Sequence, residues 1–273
     1  MVRMPVSTQR DIDGAVAAAG VVCEVHRRIA SELKAGWTLA AIDELVGRTL
    51  REHKARSCFH KYRIEHHPPF PSLSCLSVND CVVHGTHVMS DAPVVAGDLV
   101  SVDVGVQLNG WIGDAAWTYA IETADDTAAK LMESGIESLR RGVAAMQAGR
   151  PLMDWARAVQ TCVEDEYGFH LVRGLGGHGY GRSLHAAPYV SNVVPSHAAE
   201  WPDGWSSFKP GMLIAVEPMI AVGTPNTRSE RREWPIYTAD GSLSVHYEAD
   251  VLITEDGPRN LTESMFELPS IVG

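Results

Sequence analysis

Four carboxylates stand where carboxylates are costly. Asp103 lies in LVSVDVGV and Asp114 in WIGDAAW, Glu217 interrupts the apolar run LIAVEPMI, and Glu248 sits in VHYEADVLI. A charge in such surroundings is neutralised by a neighbour or gives up its ionisation. Taken singly, a solvated acid on an exposed hairpin or a glutamate in a salt bridge is the ordinary alternative. Four in one chain shift the balance, because the 23 basic residues are mostly taken up on helix surfaces. Imidazoles accompany them. His178 sits in GLGGHGYGRSLH, where five glycines let the backbone hug a site; His185 follows seven residues later, and His84 ends the apolar run before Gly85. Four carboxylates and a neutral imidazole nitrogen make a hard, oxygen-rich donor set, suited to two divalent ions bridged by carboxylates and a water. Such a pair lowers the water's pKa and stabilises a tetrahedral intermediate, which is hydrolytic chemistry.

Other chemistries have less support. No G-x-S-x-G elbow is present. Gly174 to Gly179 spells G-x-G-x-x-G, but no long helix follows before Pro188, and no G-K-[ST] occurs, so neither a dinucleotide loop nor a P-loop is indicated. Cys75 and Cys81 carry no activating context.

The elements that must position these groups are legible. Residues 99–121 hold two β-rich runs around Asn109-Gly110, a two-residue hairpin signal. Pairing Leu108 with Trp111 sets Asp103 opposite Ala116 and Asp114 opposite Gly105, so both carboxylates share one face at diagonal positions. Alternation puts His246, Glu248 and Asp250 on one face of a later strand. Helical spacing covers Thr8 to Leu33, Thr38 to Leu50 with Thr38 as N-cap, Asp125 to Gln147, and Pro151 to Glu166. An offset of 113 residues lays Gly36, Leu39, Ile42, Val46 and Leu50 on Gly149, Leu152, Trp155, Val159 and Val163, a weak internal repeat that coincidence between two amphipathic helices also explains. Each half reads as two helices followed by strands, which predicts an α+β domain of two similar halves around a shared sheet, 8–121 and 125–262, with tails at residues 1–7 and 265–273.

Composition bounds the rest. The 273 residues, 45% hydrophobic, can build a sizeable core and exclude disorder, collagen and small disulfide scaffolds. Thirty-four acidic residues against 23 basic ones, a formal charge of −11, argue against nucleic acid as a partner. Five cysteines without a C-x-x-C pair read as free thiols in a reducing cytoplasm. The apolar run from Gly14 to Cys23 is preceded by Asp11 and Asp13 and reads as a buried helix face, and no window approaches a membrane span. A monomer is the default, since no exposed apolar heptad is readable.

The order D-x(10)-D, H-x(6)-H, E-P-M and Y-E resembles the type I methionine aminopeptidases of the pita-bread metallohydrolase family. SVNDCVVHG (77–85), GDLVSVDVGVQLNGWIGDAA (97–116), GGHGYGRSLHAAP (176–188), LIAVEPMI and SVHYEADVLITEDG carry the resemblance, which spans about residues 8 to 262. It implies the pita-bread fold around a curved antiparallel sheet, and two divalent metals (cobalt, manganese or iron) held by Asp103, Asp114, His178, Glu217 and Glu248, with Asp114 and Glu248 bridging. It also implies Glu217 as general base, His84 at the scissile amide, His185 on the oxyanion, and Phe70, Cys75 and Trp234 in the methionine pocket. The implied substrate is a peptide or nascent chain whose N-terminal methionine precedes a small residue.

Departures bear on substrate. Leu175 and Leu184 stand at pocket positions where the family usually has aromatics, HAAP replaces HEEP, His246 replaces a usual glutamine, and EAD replaces EHT in a manner similar to the Xaa-Pro branch. These keep open a divergent enzyme acting on an Xaa-Pro peptide, another small amide or a biosynthetic intermediate. The segment 199–211 (AEWPDGWSSFKPG) reads either as a rim over the cleft or as a packed surface loop.

Overall fold

The computed structural model describes residues 6–273. The first helix, α1 (Gln9–Glu32), starts where Thr8 accepts a hydrogen bond from the Asp11 amide and the Asp11 carboxylate accepts one from the Thr8 amide, so two otherwise unpaired amides are satisfied reciprocally. Its Ala- and Val-rich face, from Ala15 to Ile29, is buried. Helix α2 (Leu39–Glu52) begins at its Thr38 cap and buries Leu39, Ile42, Leu45, Val46 and Leu50. In the second half α3 (Asp126–Ala145) is capped by Asp125, and α4 (Met153–Gln160) runs on into a π-helical segment, Thr161–Glu166. The four expected helices therefore exist, although the last changes its hydrogen-bonding pattern halfway along.

The hairpin has the expected register. Asn109 and Gly110 have φ values of 51° and 78°, the pair of left-handed conformations that a tight two-residue connection between twisted strands requires. Leu108 pairs with Trp111, Asp103 with Ala116 and Gly105 with Asp114. This hairpin is the centre of a five-stranded sheet. Arg56–Ser57 and Cys75–Val78 flank it on one side, and Ile271–Val272 adds in parallel on the other. A second five-stranded sheet runs in the order Gly257–Asn260, Ala249–Thr254, Leu213–Val216, Gly176–Gly179, Ala186–Ser191, and two three-stranded sheets complete the β structure.

The two helix pairs back different strands. Helix α1 packs on the hairpin and α3 on Ser244–His246 and Met219–Ala221. At Gly113 the hairpin approaches α1 so closely that a Cβ would stand 2.7 Å from the Ala18 backbone. One continuous core nonetheless joins residues of both halves, among them Ile29, Val104 and Trp117 with Leu139, Trp155 and Tyr247.

The seam between the halves is polar and specific. The Thr118 hydroxyl accepts from the His246 amide and donates to the His246 carbonyl, both at 3.0 Å. The Glu248 amide donates to the Ala116 carbonyl at 2.9 Å, and the Asp114 amide to Asp250 Oδ2 at 2.9 Å. The strand expected to carry His246, Glu248 and Asp250 on one face is here two, Ser244–His246 and Ala249–Thr254.

One expectation needs correction. Residues 265–273 are not a tail: Glu263–Glu267 form a 3-10 turn and Ile271–Val272 pair with Ala120 and Ile121, satisfying an edge that the hairpin would otherwise leave open. Of the two readings of residues 199–211, the packed surface loop is the one found. Trp201 and Phe208 are buried, the Trp201 indole donates to the Tyr189 carbonyl, and the exposed Trp205 lies against Arg157, so these aromatics pack on α4 and Ala186–Ser191 instead. Residues 1–5 of the other expected tail lie outside the described residues. No helix among the described residues is long and apolar enough to cross a membrane, and all five cysteines are free.

Candidate metal centre

The seam delivers the chemistry-bearing residues to one cavity of about 200 Å³. It is lined by Asp103 and Asp114 from the hairpin, His178, Leu184 and His185 from the glycine-rich segment, Glu217, Glu248, His84, Phe70, Cys75 and Trp234. Eleven of the twelve site residues singled out from sequence meet there. The exception is Leu175, which packs with Val82, Val83, Val172, Met219 and Ile236. Phe59, Tyr62 and Ile64 also line the cavity. Sequence reasoning missed them because they lie in an irregular segment whose only signal was the HHPPFP run that follows.

The geometry demands a cation. Donor atoms of Asp114, His178 and Glu248 lie within 4.8 Å of one another. His178 Nδ1 is 3.2 Å from the Gly179 carbonyl, which can only accept, so a neutral ring carries its proton there and leaves a lone pair on Nε2. That nitrogen faces Asp114 Oδ2 at 3.8 Å and Glu217 Oε1 at 3.9 Å. Three electron-rich atoms converge with no hydrogen between them. Asp103 Oδ1 and Asp114 Oδ1 are buried without a hydrogen-bond partner among the described residues. Orphaned buried oxygens beside a free imidazole lone pair fit a divalent cation and little else.

The electrostatics agree. Burial pushes the Asp103 carboxyl up to about 7, with the Glu217 charge adding to the effect and His246 opposing it. Asp114 and Glu248 rise well above the usual carboxylate range, first through burial and then through neighbouring acids. Asp250, fully buried and accepting the Asp114 amide, is pushed to about 8 by burial. His84 is lowered to about 4 and His185 is lowered too, both chiefly by burial, so at neutral pH each is an uncharged imidazole. His185 lies edge-on to His178, ring centroids 4.5 Å apart, with its Nδ1 2.9 Å from the Tyr62 hydroxyl. Glycine holds His178 in place: a Cβ at Gly177 would meet the Ala215 carbonyl at 2.3 Å and one at Gly179 the Ala187 carbonyl at 2.2 Å, so side chains there would push apart the strands on either side.

A buried set of carboxylates and one imidazole, gathered at the seam of a two-half αβ fold, defines a metallopeptidase. The chain belongs to metallopeptidase family M24, whose model matches residues 14–255. Within that family its similarity is to methionine aminopeptidases. Methionine aminopeptidase 1 of Mycobacterium tuberculosis is 38% identical over 265 residues, 95% of each chain, and that of Bacillus subtilis 33% identical over 253 residues, 92% of this chain and 95% of the relative. The crystal structure of methionine aminopeptidase from Thermotoga maritima superposes with a TM-score of 0.86 at 30% identity, covering 96% of this chain and 99% of that one. Prolidase from Pyrococcus furiosus, with a TM-score of 0.70 and 20% identity over 95% of this chain and 65% of that one, shares the fold alone. The architecture is the pita-bread fold, and family and donor set together mark the chain as a user of divalent metal.

The raised carboxyls give a pH signature to the protein stripped by a chelator. A carboxyl whose folded pKa exceeds its ordinary 3.8 stabilises the fold fully only below that ordinary value, and the contribution is lost as pH rises from there to the folded value, about 7 for Asp103 and about 8 for Asp250. The buried His26 and His84, lowered from 6.5 to about 4, act in the opposite sense only below 6.5. Above pH 6.5, where those histidines no longer contribute, the Tm of chelated protein is therefore expected to fall up to about pH 8, and saturating Mn²⁺ to flatten that slope. Equal slopes with and without metal, measured by differential scanning calorimetry, would contradict the assignment.

Proposed function

We propose that the chain removes N-terminal methionine from peptides and nascent chains whose second residue is small. The observation that carries this reading is the adjacency of the acidic set to a small apolar chamber lined by Phe59, Ile64, Phe70, Cys75, Leu184 and Trp234. The whole cavity, acidic set included, is about 200 Å³, so the apolar part suits no more than one unbranched side chain. An α-ammonium is drawn to the carboxylates beside it, which favours a chain terminus over an internal peptide bond.

Asp103, Asp114, His178, Glu217 and Glu248 would hold two divalent cations, cobalt, manganese or iron, with Asp114 and Glu248 shared between them. When bound, the cations polarise the scissile carbonyl and make water acidic enough to attack it near neutral pH. Glu217 takes the water's proton on a carboxylate oxygen and passes it to the leaving amine. His84, which lines the cavity with its ring perpendicular to that of Trp234, is the neutral partner of the scissile amide. His185 accepts the Tyr62 hydroxyl proton on Nδ1 and keeps its own proton on Nε2, the nitrogen that donates to the developing oxyanion. The acidic overall charge fits a peptide partner rather than a nucleic acid, and the enzyme acts as a monomer in a reducing cytoplasm.

The test is release of the first residue from Met-Ala-Ser and matched Leu, Ala and Xaa-Pro peptides by metal-quantified protein, with each metal supplied separately. Met-selective, metal-dependent release is expected. Bound metal with no preference for methionine would overturn the substrate assignment. His185→Ala is expected to keep its metal content while kcat falls about 10²-fold or more; loss of metal in that variant would make His185 a ligand instead.

A further inference from the structure

His246 is used by none of the roles above, yet it is built into the centre. Its side chain is 3% exposed, and its backbone is gripped on both polar atoms by Thr118, itself bonded to the Ser101 hydroxyl at 2.8 Å. Antiparallel pairing sets His246 opposite Met219, two residues beyond Glu217. The imidazole lies against that glutamate: Nε2 stands 3.4 Å from Glu217 Oε2, and this buried nitrogen has no hydrogen-bond partner among the described residues, so the approach is close without being a formed hydrogen bond. The remaining titratable neighbours are Asp103 and His84, the latter uncharged at neutral pH. The other oxygen of the same carboxylate, Oε1, faces His178.

The two oxygens of Glu217 are thus divided between two histidines with different tasks. We propose that His246 is a positioning residue: on metal loading its Nε2–H closes the 3.4 Å approach into a hydrogen bond to Glu217 Oε2 and holds the carboxylate with Oε1 turned to His178, together with which it would hold the metal. A carboxylate free to rotate would lose that orientation, and an outer partner of this kind sets ligand geometry as the ligands themselves do. The inference deepens the proposed reading and rests on Glu217 being a metal ligand.

The experiment is calorimetric titration of Mn²⁺ into chelator-stripped protein, alongside kcat and KM on Met-Ala-Ser. His246→Leu is expected to weaken Mn²⁺ binding about 10- to 100-fold and to lower kcat more than it changes KM. His246→Gln, which keeps an N–H of similar reach, is expected to restore most of both. His246→Asn, whose amide falls short of Oε2, serves as a second variant and is expected to follow the Leu variant. In a Glu217→Ala background the Leu substitution is expected to have no further effect on affinity. Wild-type affinity and kcat in the Leu or Asn variant, a Gln variant as weak as the Leu variant, or a full further loss in the Glu217→Ala background would each overturn the proposal. A wild-type protein that binds Mn²⁺ but releases no methionine would sink the aminopeptidase reading alone, since the affinity series still reports on His246 and Glu217.

Discussion

The structure turns on the burial of acidic groups in one place. Asp103, Asp114, Glu248 and Asp250 are all under 9% exposed and lie close enough to raise one another's proton affinity. Desolvating a single uncompensated carboxylate costs several kcal/mol, and a domain has only about 5–15 kcal/mol of net stability. Such a cluster survives only if it is protonated or faces a cation. Protonation would give His178 Nε2 and the orphaned oxygens of Asp103 and Asp114 no common partner, whereas bound divalent cations would.

Holding that cluster explains features that look unrelated. The Asn109-Gly110 turn fixes the hairpin register, and a slip of one residue would turn both aspartates to the opposite face. The first half supplies two carboxylates, the second supplies His178, Glu217 and Glu248, and neither half contains a complete donor set. Their docking is enforced by short polar bonds at Ala116, Thr118 and Asp114 rather than by apolar packing alone. Asp250 belongs to this scaffold: by accepting the Asp114 amide it orients a ligand strand without facing the cavity itself.

Much of this was legible in the sequence, for a physical reason. A carboxylate inside an apolar strand violates the ordinary pattern, and a violation repeated four times points to a shared site; the two-residue turn then fixed the geometry of Asp103 and Asp114. Residues governed by irregular backbone were not legible. Phe59, Tyr62 and Ile64 reach the cavity from a segment without periodicity, and Leu175 turned away into a small apolar cluster that no local pattern announces. Strand formation by Ile271 and Val272 depends on a distant edge at Ala120, and Trp201 and Phe208 of 199–211 are buried in the core while Trp205 stays exposed. His246 was noticeable as a departure, but only the three-dimensional pairing with Met219 gives it a partner.

The central claim, that buried carboxyls are kept ionised only by bound cations, is tested most directly by counting protons. Titrating Mn²⁺ into stripped protein at pH 7 in two buffers of different ionisation enthalpy measures both stoichiometry and protons released. The account predicts two cations per chain, with protons released as carboxyls that were protonated in the metal-free protein ionise. Metal binding without proton release, or no binding at all, would contradict it.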